Sequence, residues 1–225
     1  MRLSVVIPAL EEAAGIAACL VPLQAWRAGG HEVIVADGGS ADATAERARP
    51  LCDRVIGAPR GRARQMNAGA ALAQGEGLVF LHADTLLPSG AESEVAGALE
   101  GFAWGRFDIA IDSPRPLLRT VSAMMNWRSR RTGIATGDQA IFVRAEAFRR
   151  IGGFPDIALM EDVAFSQRAR ALGPPACLDA RARTSARRWE RHGAWRTILL
   201  MWRLRAAYAL GADPSRLAAR YARHG

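Results

Sequence analysis

Short apolar runs, broken by glycine, proline and acids, organise the chain. "RLSVVIP" (2–8), "HEVIVAD" (31–37), "RVIGA" (54–58) and "GLVFLHAD" (77–84) are brief and rich in β-branched residues. Continuous runs of this kind predict strands covered on both faces. Between them, "EEAAGIAACLVPLQAW" (11–26) predicts a helix with acids in its first turn. "GGSADATAERAR" (38–49) predicts a turn and a short helix with Ser40 as N-cap, and "GRARQMNAGAALAQG" (61–75) a helix opened and closed by glycine. Strands alternating with helices at this spacing predict βαβ units and a mostly parallel, Rossmann-like sheet flanked by helices.

After residue 100 the pattern changes. "FAWGRFDIAID" (102–112) alternates and predicts a longer strand with one polar face, and "PLLRTVSAMMNWRSRR" (116–131) predicts a helix. "DQAIFVR" (138–144) predicts a strand, "AEAFRR" a short helix, and "MEDVAFSQRARALG" (160–173) a helix ended by glycine and two prolines. The arginine-rich "ARARTSARRWERHG" (180–193) follows, then helical segments at 194–210 and 213–222. The expectation is one α/β domain over 1–225, with a nucleotide-binding half (1–100), an acceptor half (101–193) and C-terminal helices (194–225).

The formal net charge of +8 suggests an anionic partner. All thirty basic residues are arginine, however, a compositional bias that weakens this reading. The basic residues form no compact block with interleaved aromatics, so a nucleic-acid partner is not expected. Cys19, Cys52 and Cys177 are far apart, odd in number and without a CxxC pair, which predicts neither a disulfide framework nor a zinc site. A cytoplasmic protein is expected. Arginines interrupt the apolar segment 195–210, so it predicts no bilayer span, though peripheral contact with the inner face of the membrane stays open beside a core-packing role.

In doubly wound sheets, ligands bind beyond the carboxyl ends of the strands. Those ends carry Pro8-Ala9-Leu10-Glu11-Glu12, Asp37-Gly38-Gly39-Ser40 and His82-Ala83-Asp84. Asp84 is either an acid where a strand turns out or a ligand of a hard divalent cation shared with substrate phosphates. His82, two residues back, points to the same side if the strand continues; it is then a second ligand or a hydrogen-bond partner. Asp37 before a double glycine suits a ribose hydroxyl or a base N–H, with Gly39 allowing close backbone approach. Arg62 and Arg64 at a helix start suit phosphate, with Asn67 beside them. Glu161 and Asp162 open an apolar helix, either as acids favoured by its dipole or as a general base. Adjacent acids repel, which raises one pKa. Arg188, Trp189 and His192 could reach a diphosphate or sugar, with His192 completing a metal shell.

"SVVIPALEE", "VIVADGGSADAT", "GRARQMNAGA", "FLHADT", "GDQAIFVR", "IGGF" and "MEDVAFSQR", in this order, resemble family 2 glycosyltransferases of the GT-A fold over about residues 2–193. The resemblance implies a nucleotide-sugar donor, a hydroxyl acceptor, a divalent cation (Mn²⁺ or Mg²⁺) and inversion by direct displacement. It implies that Pro8, Ala9, Leu10 and Glu12 line the nucleotide pocket and that Asp37 contacts base or ribose. Asp84 is then the retained carboxylate of a DxD motif whose first acid is His82 here, and Asp162 is the base. "QxxRW" is incomplete, with Ser185 in place of glutamine before Arg188-Trp189. "GRARQMNAGAALAQG", "FLHADT" and "TSARRWERHG" most resemble a compact bacterial subgroup associated with radical-SAM enzymes and arsenosugar biosynthesis. Two alternatives stay open: a nucleotide-sugar-binding protein with impaired catalysis, and a sugar-phosphate nucleotidyltransferase. The acidic loop "PALEEAAG" disfavours the latter, which needs a basic glycine-rich loop there.

Overall fold

The structure is a computed structural model in which residues 1–223 are described. Positions 224 and 225 of the expected C-terminal segment lie outside the described residues. In chain order the elements are β1 (Leu3–Ala9), α1 (Ile16–Leu20), α2 (Gln24–Ala28), β2 (Glu32–Asp37), α3 (Thr44–Ala48), β3 (Arg54–Gly57), α4 (Arg62–Leu72), β4 (Gly77–Phe80) and β5 (Thr85–Leu86). There follow α5 (Ala91–Gly101), β6 (Trp104–Asp112), α6 (Pro116–Thr132), β7 (Phe142–Arg144), α7 (Ala145–Arg150) and α8 (Glu161–Ala169). β8 (Ala176–Ser185), α9 (Arg187–His192), α10 (Ala194–Ala209) and α11 (Pro214–Arg223) complete the described chain.

Eight strands form one sheet in the order β3-β2-β1-β4-β7-β6-β8-β5. The first four are mutually parallel, so the loops after β1, β2 and β4 open at one edge. β7 runs antiparallel to both β4 and β6, β8 is parallel to β6, and β5 is antiparallel to β8. Side chains alternate across the pleat. Leu3, Val5, Ile7 and Ala9 enter one core with α1, α2 and α5, while Val6, Leu78 and Phe80 enter the other with α4, α7 and α8. Burial on both faces is why these strands read as unbroken apolar runs.

Several expectations need correction. The predicted helix 11–26 is two short helices: Pro22 lacks the N–H that would continue the helical hydrogen-bond ladder past Val21. Glu11 and Glu12 therefore lie in a loop rather than a first helical turn. Ser40 is not a cap: α3 begins at Thr44, and the Ser40 hydroxyl instead accepts the Glu11 N–H at 3.0 Å. The apolar run 77–84 leaves the sheet after Phe80, and the Thr85 N–H closes a turn onto the His82 carbonyl at 3.0 Å. Of "DQAIFVR", residues 137–139 form a single 3-10 turn, and only Phe142–Arg144 pair as a strand.

The polar side of 102–112 is buried at Arg106 and Asp108 and reaches water only at its end, Asp112. Arg106 is fully buried and pairs with Asp108, and α6 covers both. Asn126 of α6 accepts the Ile109 N–H at 2.9 Å and donates to the Ile109 carbonyl at 3.0 Å. Residues 176–185, within which the arginine-rich stretch begins, form the strand β8. Its Ala182 and Thr184 are buried while Arg181 and Arg183 point out.

Two glycines separate close packing from intrinsic helix propensity. A Cβ on Gly69 of α4 would lie 2.4 Å from Val6 Cγ1 in the core, whereas one on Gly97 of α5 would meet nothing within 4 Å. Gly97→Ala should stabilise by about 0.5–1 kcal/mol through helix propensity. Gly69→Ala should destabilise by about 1–3 kcal/mol, since overpacking exceeds that gain. Denaturant midpoints of the two variants check this, and two changes of the same sign would contradict it.

Candidate active site

Three loops from the parallel half and three segments from the second half meet at the carboxyl edge of the sheet. The first loop follows β1. Glu11 takes a left-handed backbone (φ 55°), and its carboxylate accepts the Ala41 N–H at 2.7 Å. The Glu12 N–H donates to Thr44 Oγ1 at 2.8 Å, and Ala13 N–H to Asp42 at 3.0 Å, so the loops after β1 and β2 are laced together. Asp37 ends β2 and accepts from the Gly39 and Ser40 N–H groups at 3.2 and 3.1 Å and from the Ser40 hydroxyl at 2.5 Å. Beneath them Gln65 of α4, fully enclosed, donates from Nε2 to the carbonyls of Ala9 and Ala36 at 2.7 and 2.8 Å. It ties the ends of β1 and β2 to the helix behind them and to the Pro8-Ala9-Leu10 entrance.

The turn His82–Thr85 is held from below by Cys19, whose thiol faces the carbonyls of His82 and Thr85. Burial, reinforced by the charges of Asp84 and Glu12, pushes the Cys19 thiol up to about 12, so it stays protonated and structural. Ala83 is buried in this turn, while Asp84 is half-buried and faces Arg187 of α9 at 3.6 Å. The same guanidinium donates to Glu12 Oε2 at 2.8 Å. Backbone fixes this meeting: Ser185 N–H donates to the Asp84 carbonyl at 3.1 Å, and Arg187 N–H to Ser185 Oγ at 3.1 Å.

His82 leaves the side of Asp84, because the strand has already ended, and turns to Asp138, with Nδ1 to Oδ1 at 3.1 Å. Burial opposes the imidazolium, but the hydrogen bond and charge of Asp138, with the charge of Asp84, outweigh it and raise the His82 pKa. For Asp138, burial acts upward, yet His82, Arg62 and Arg188 together lower it. A Cβ on Gly137 would lie 2.3 Å from His82 Nε2, so only glycine fits between the imidazole and Asp162.

Asp162 accepts the Gly137 N–H at 2.8 Å with Oδ2 and the Val163 N–H at 2.7 Å with Oδ1. Its neighbour Glu161 is 3 % exposed and pairs with Arg62 at 3.1 Å. Burial raises the Glu161 pKa most strongly; Arg62 opposes the shift and the charge of Asp162 adds to it. Met160 before the pair (φ 68°) and Ala140 after the 3-10 turn (φ 45°) are left-handed, like Glu11. Among the described residues these three are the only non-glycine positive-φ positions, and all flank this edge. Such strain amounts to about 1–3 kcal/mol each and gathers where function fixes the backbone.

Asp37, Asp84 and Asp162 thus share one mouth, linked through Ser40, the lacing of the first two loops, Glu12, Arg187, His82 and Gly137. Arg188 lies over the Tyr221 ring at 4.2 Å, and Trp189 packs beside Ile109, Ile111 and Leu118. The structure does not bring Arg64 and Asn67 to the mouth. Arg64 pairs with Asp156 at 2.7 Å, and both polar atoms of Asn67 hold the Phe154 backbone, at 2.8 and 3.0 Å. His192 ends α9, and among the described residues no group of three His, Cys, Asp or Glu side chains is placed to hold a metal ion. Asp138, Arg187 and Gln65 are site residues that sequence reasoning missed. Asp138 and Arg187 lay inside motifs already singled out, and Gln65 lay between Arg64 and Asn67.

Residues 4–149 match glycosyl transferase family 2. No curated protein matches the chain in sequence. Among solved structures, mannosyltransferase PcManGT from Pyrobaculum calidifontis, in complex with GDP-Man and Mn²⁺, superposes with TM-score 0.68 at 22 % identity, over 95 % of this chain and 66 % of that one. S. aureus TarS 1–349 in complex with UDP gives 0.65 at 18 %, over 82 % of this chain and 60 % of that one, so the chain spans about three-fifths of that structure. Glucosyl-3-phosphoglycerate synthase from Mycobacterium tuberculosis, with Mn²⁺, UDP and phosphoglyceric acid, gives 0.57 at 20 %, over 80 % and 68 %.

A raised carboxyl pKa favours the native state below the unfolded pKa, and that contribution is lost as pH rises through the folded pKa. The melting temperature of Glu161→Gln relative to the parent should therefore climb as pH rises above the unfolded carboxyl value of about 4. A difference that stays constant with pH would contradict the assignment.

Proposed function

The chain belongs to glycosyl transferase family 2 and has the GT-A fold, and from that premise we propose that it is a metal-dependent, inverting glycosyltransferase using a nucleotide-sugar donor. The observation that carries this is the gathering of Asp37, Asp84 and Asp162 at one mouth, with Arg187 and Arg62 interleaved. Asp37 and the laced loops after β1 and β2 receive the nucleoside. The diphosphate lies toward Asp84, where Arg187 and Arg188 offer forked donors to its oxygens. The acceptor hydroxyl approaches from Asp162, which takes its proton. The oxygen forms its bond to the anomeric carbon as the bond to the diphosphate breaks, and the electron pair leaves with the diphosphate. One displacement inverts the configuration.

The residues fit a hard divalent cation in part. Asp84 offers a half-exposed carboxylate, and Glu12 stands on the same guanidinium. With no protein cluster of three ligands among the described residues, the remaining oxygens must come from the diphosphate. When bound, such a cation offsets the charge that develops on the leaving group. His192 remains a proposed outer contributor. For the setting of the reaction we propose arsenosugar-type small-molecule biosynthesis, with a hydroxyl-bearing acceptor; this rests on the resemblance of "GRARQMNAGAALAQG", "FLHADT" and "TSARRWERHG".

Asp162→Asn should lower turnover by about 10²–10⁴-fold while keeping donor binding, read by donor consumption and by calorimetry. Near-normal turnover removes Asp162 from the role. In thermal melts, a nucleoside diphosphate with Mn²⁺ should stabilise the protein more than either alone, since ligands that bind only the folded state raise its melting temperature. Asp84→Asn should abolish the Mn²⁺-dependent part alone, and a variant that keeps it shows that the cation is not held there.

A further inference from the structure

α10 has two faces of different character. Thr197 and Leu204 are buried, and Leu200, Met201 and Tyr208 pack with them against Leu159, Met160 and Leu217. This settles the core-packing role. On the opposite face Trp195, Leu199 and Trp202 are 67, 50 and 61 % exposed. Their spacing of four and three residues sets them in one stripe along the helix. Arg196 and Arg203 are exposed beside the stripe. Between residues 194 and 223 the chain has six arginines and a single acid, Asp213.

We propose that this face docks on an anionic lipid bilayer, with α10 lying in the plane of the interface. Three observations select that occupant. Tryptophan presents an apolar ring and a polar N–H, a combination suited to the boundary between headgroups and acyl chains. The arginines beside the stripe complement anionic headgroups and have no acids among them to cancel the attraction. A second copy is disfavoured, because it brings the same excess of positive charge, +8 for each chain. α10 does not cross the bilayer: among the described residues no helix is long and apolar enough to do so. It lies on the surface as an amphipathic helix does.

This face adjoins the segment that reaches the mouth. Gly193 alone separates α10 from α9, whose Arg187 holds Glu12 and Asp84. α6, which with α9 and the start of α10 packs on Ile109 and Ile111, carries exposed Met124 and Trp127 of its own. A docked α10 therefore holds the mouth near the headgroup layer.

Co-sedimentation of the full chain with vesicles tests this, using phosphatidylcholine alone and phosphatidylcholine mixed with phosphatidylglycerol. The chain should pellet with the mixed vesicles, less so at high salt, and not with the neutral ones. Trp195→Ser combined with Trp202→Ser should abolish pelleting, and Arg196→Gln with Arg203→Gln should weaken it by about fivefold for each arginine removed. All four side chains are exposed, so the variants should melt like the parent and keep donor hydrolysis in solution. That readout separates failure of docking from failure of the proposed chemistry. Should the tryptophan variant misfold, the arginine variant carries the test. Absence of binding to the mixed vesicles, or binding unchanged in both variants, overturns the proposal. So does a dimer in sedimentation velocity that the tryptophan variant dissolves without any vesicle binding, which would assign the face to a second copy.

Discussion

Arg187 reaches across 175 residues of chain to bond Glu12, and the same guanidinium faces Asp84. Arg62 does the equivalent for Glu161. These contacts answer a constraint set by the fold. A sheet whose parallel strands end together brings Glu12, Asp37 and Asp84 to one edge, and the second half adds Asp138, Glu161 and Asp162. Two unit charges about 4 Å apart repel by about 4 kcal/mol at an effective dielectric near 20. Such an edge holds together only with cations interleaved, and arginines from α4 and α9 supply them. Each such pair also fastens an early loop to a later segment.

The same arrangement gives the edge its division of labour. The loops after β1 and β2 are rigid through their own lacing and through Gln65, which suits a surface that receives a nucleoside. The turn bearing Asp84 is gripped by Cys19 and Ser185, which turns its carboxylate toward Arg187. His82, Asp138 and Gly137 form the seam between that turn and Asp162. Left-handed backbone at Glu11, Ala140 and Met160 shows where packing holds the chain away from its local preference.

Much of this was legible in the sequence, for reasons that differ by element. β1, β2 and β4 were plain because burial on both faces leaves only apolar positions. The Glu161-Asp162 pair was plain because it opens an apolar helix. The break at Pro22 carried its own signal, outweighed by the helical run around it. β8 was hidden by its arginines, although the alternation of Ala182 and Thr184 with Arg181 and Arg183 is a period of two. The direction of His82 could not be read, since it depends on where β4 leaves the sheet. That departure is set by pairing with β1 and by the turn that Cys19 supports. Asn67 looked like chemistry by its rarity, but it serves the fold by holding Phe154.

The family match and the GT-A architecture account for the edge, and the carboxylates there give it a chemistry. A crystal of the chain grown with a nucleoside diphosphate and Mn²⁺, measured at the manganese absorption edge, tests that account most directly. The account predicts one anomalous peak in contact with the Asp84 carboxylate and the diphosphate, with the nucleoside against Asp37 and open space toward Asp162. A peak away from Asp84, or a nucleotide seated on any other surface, would contradict it.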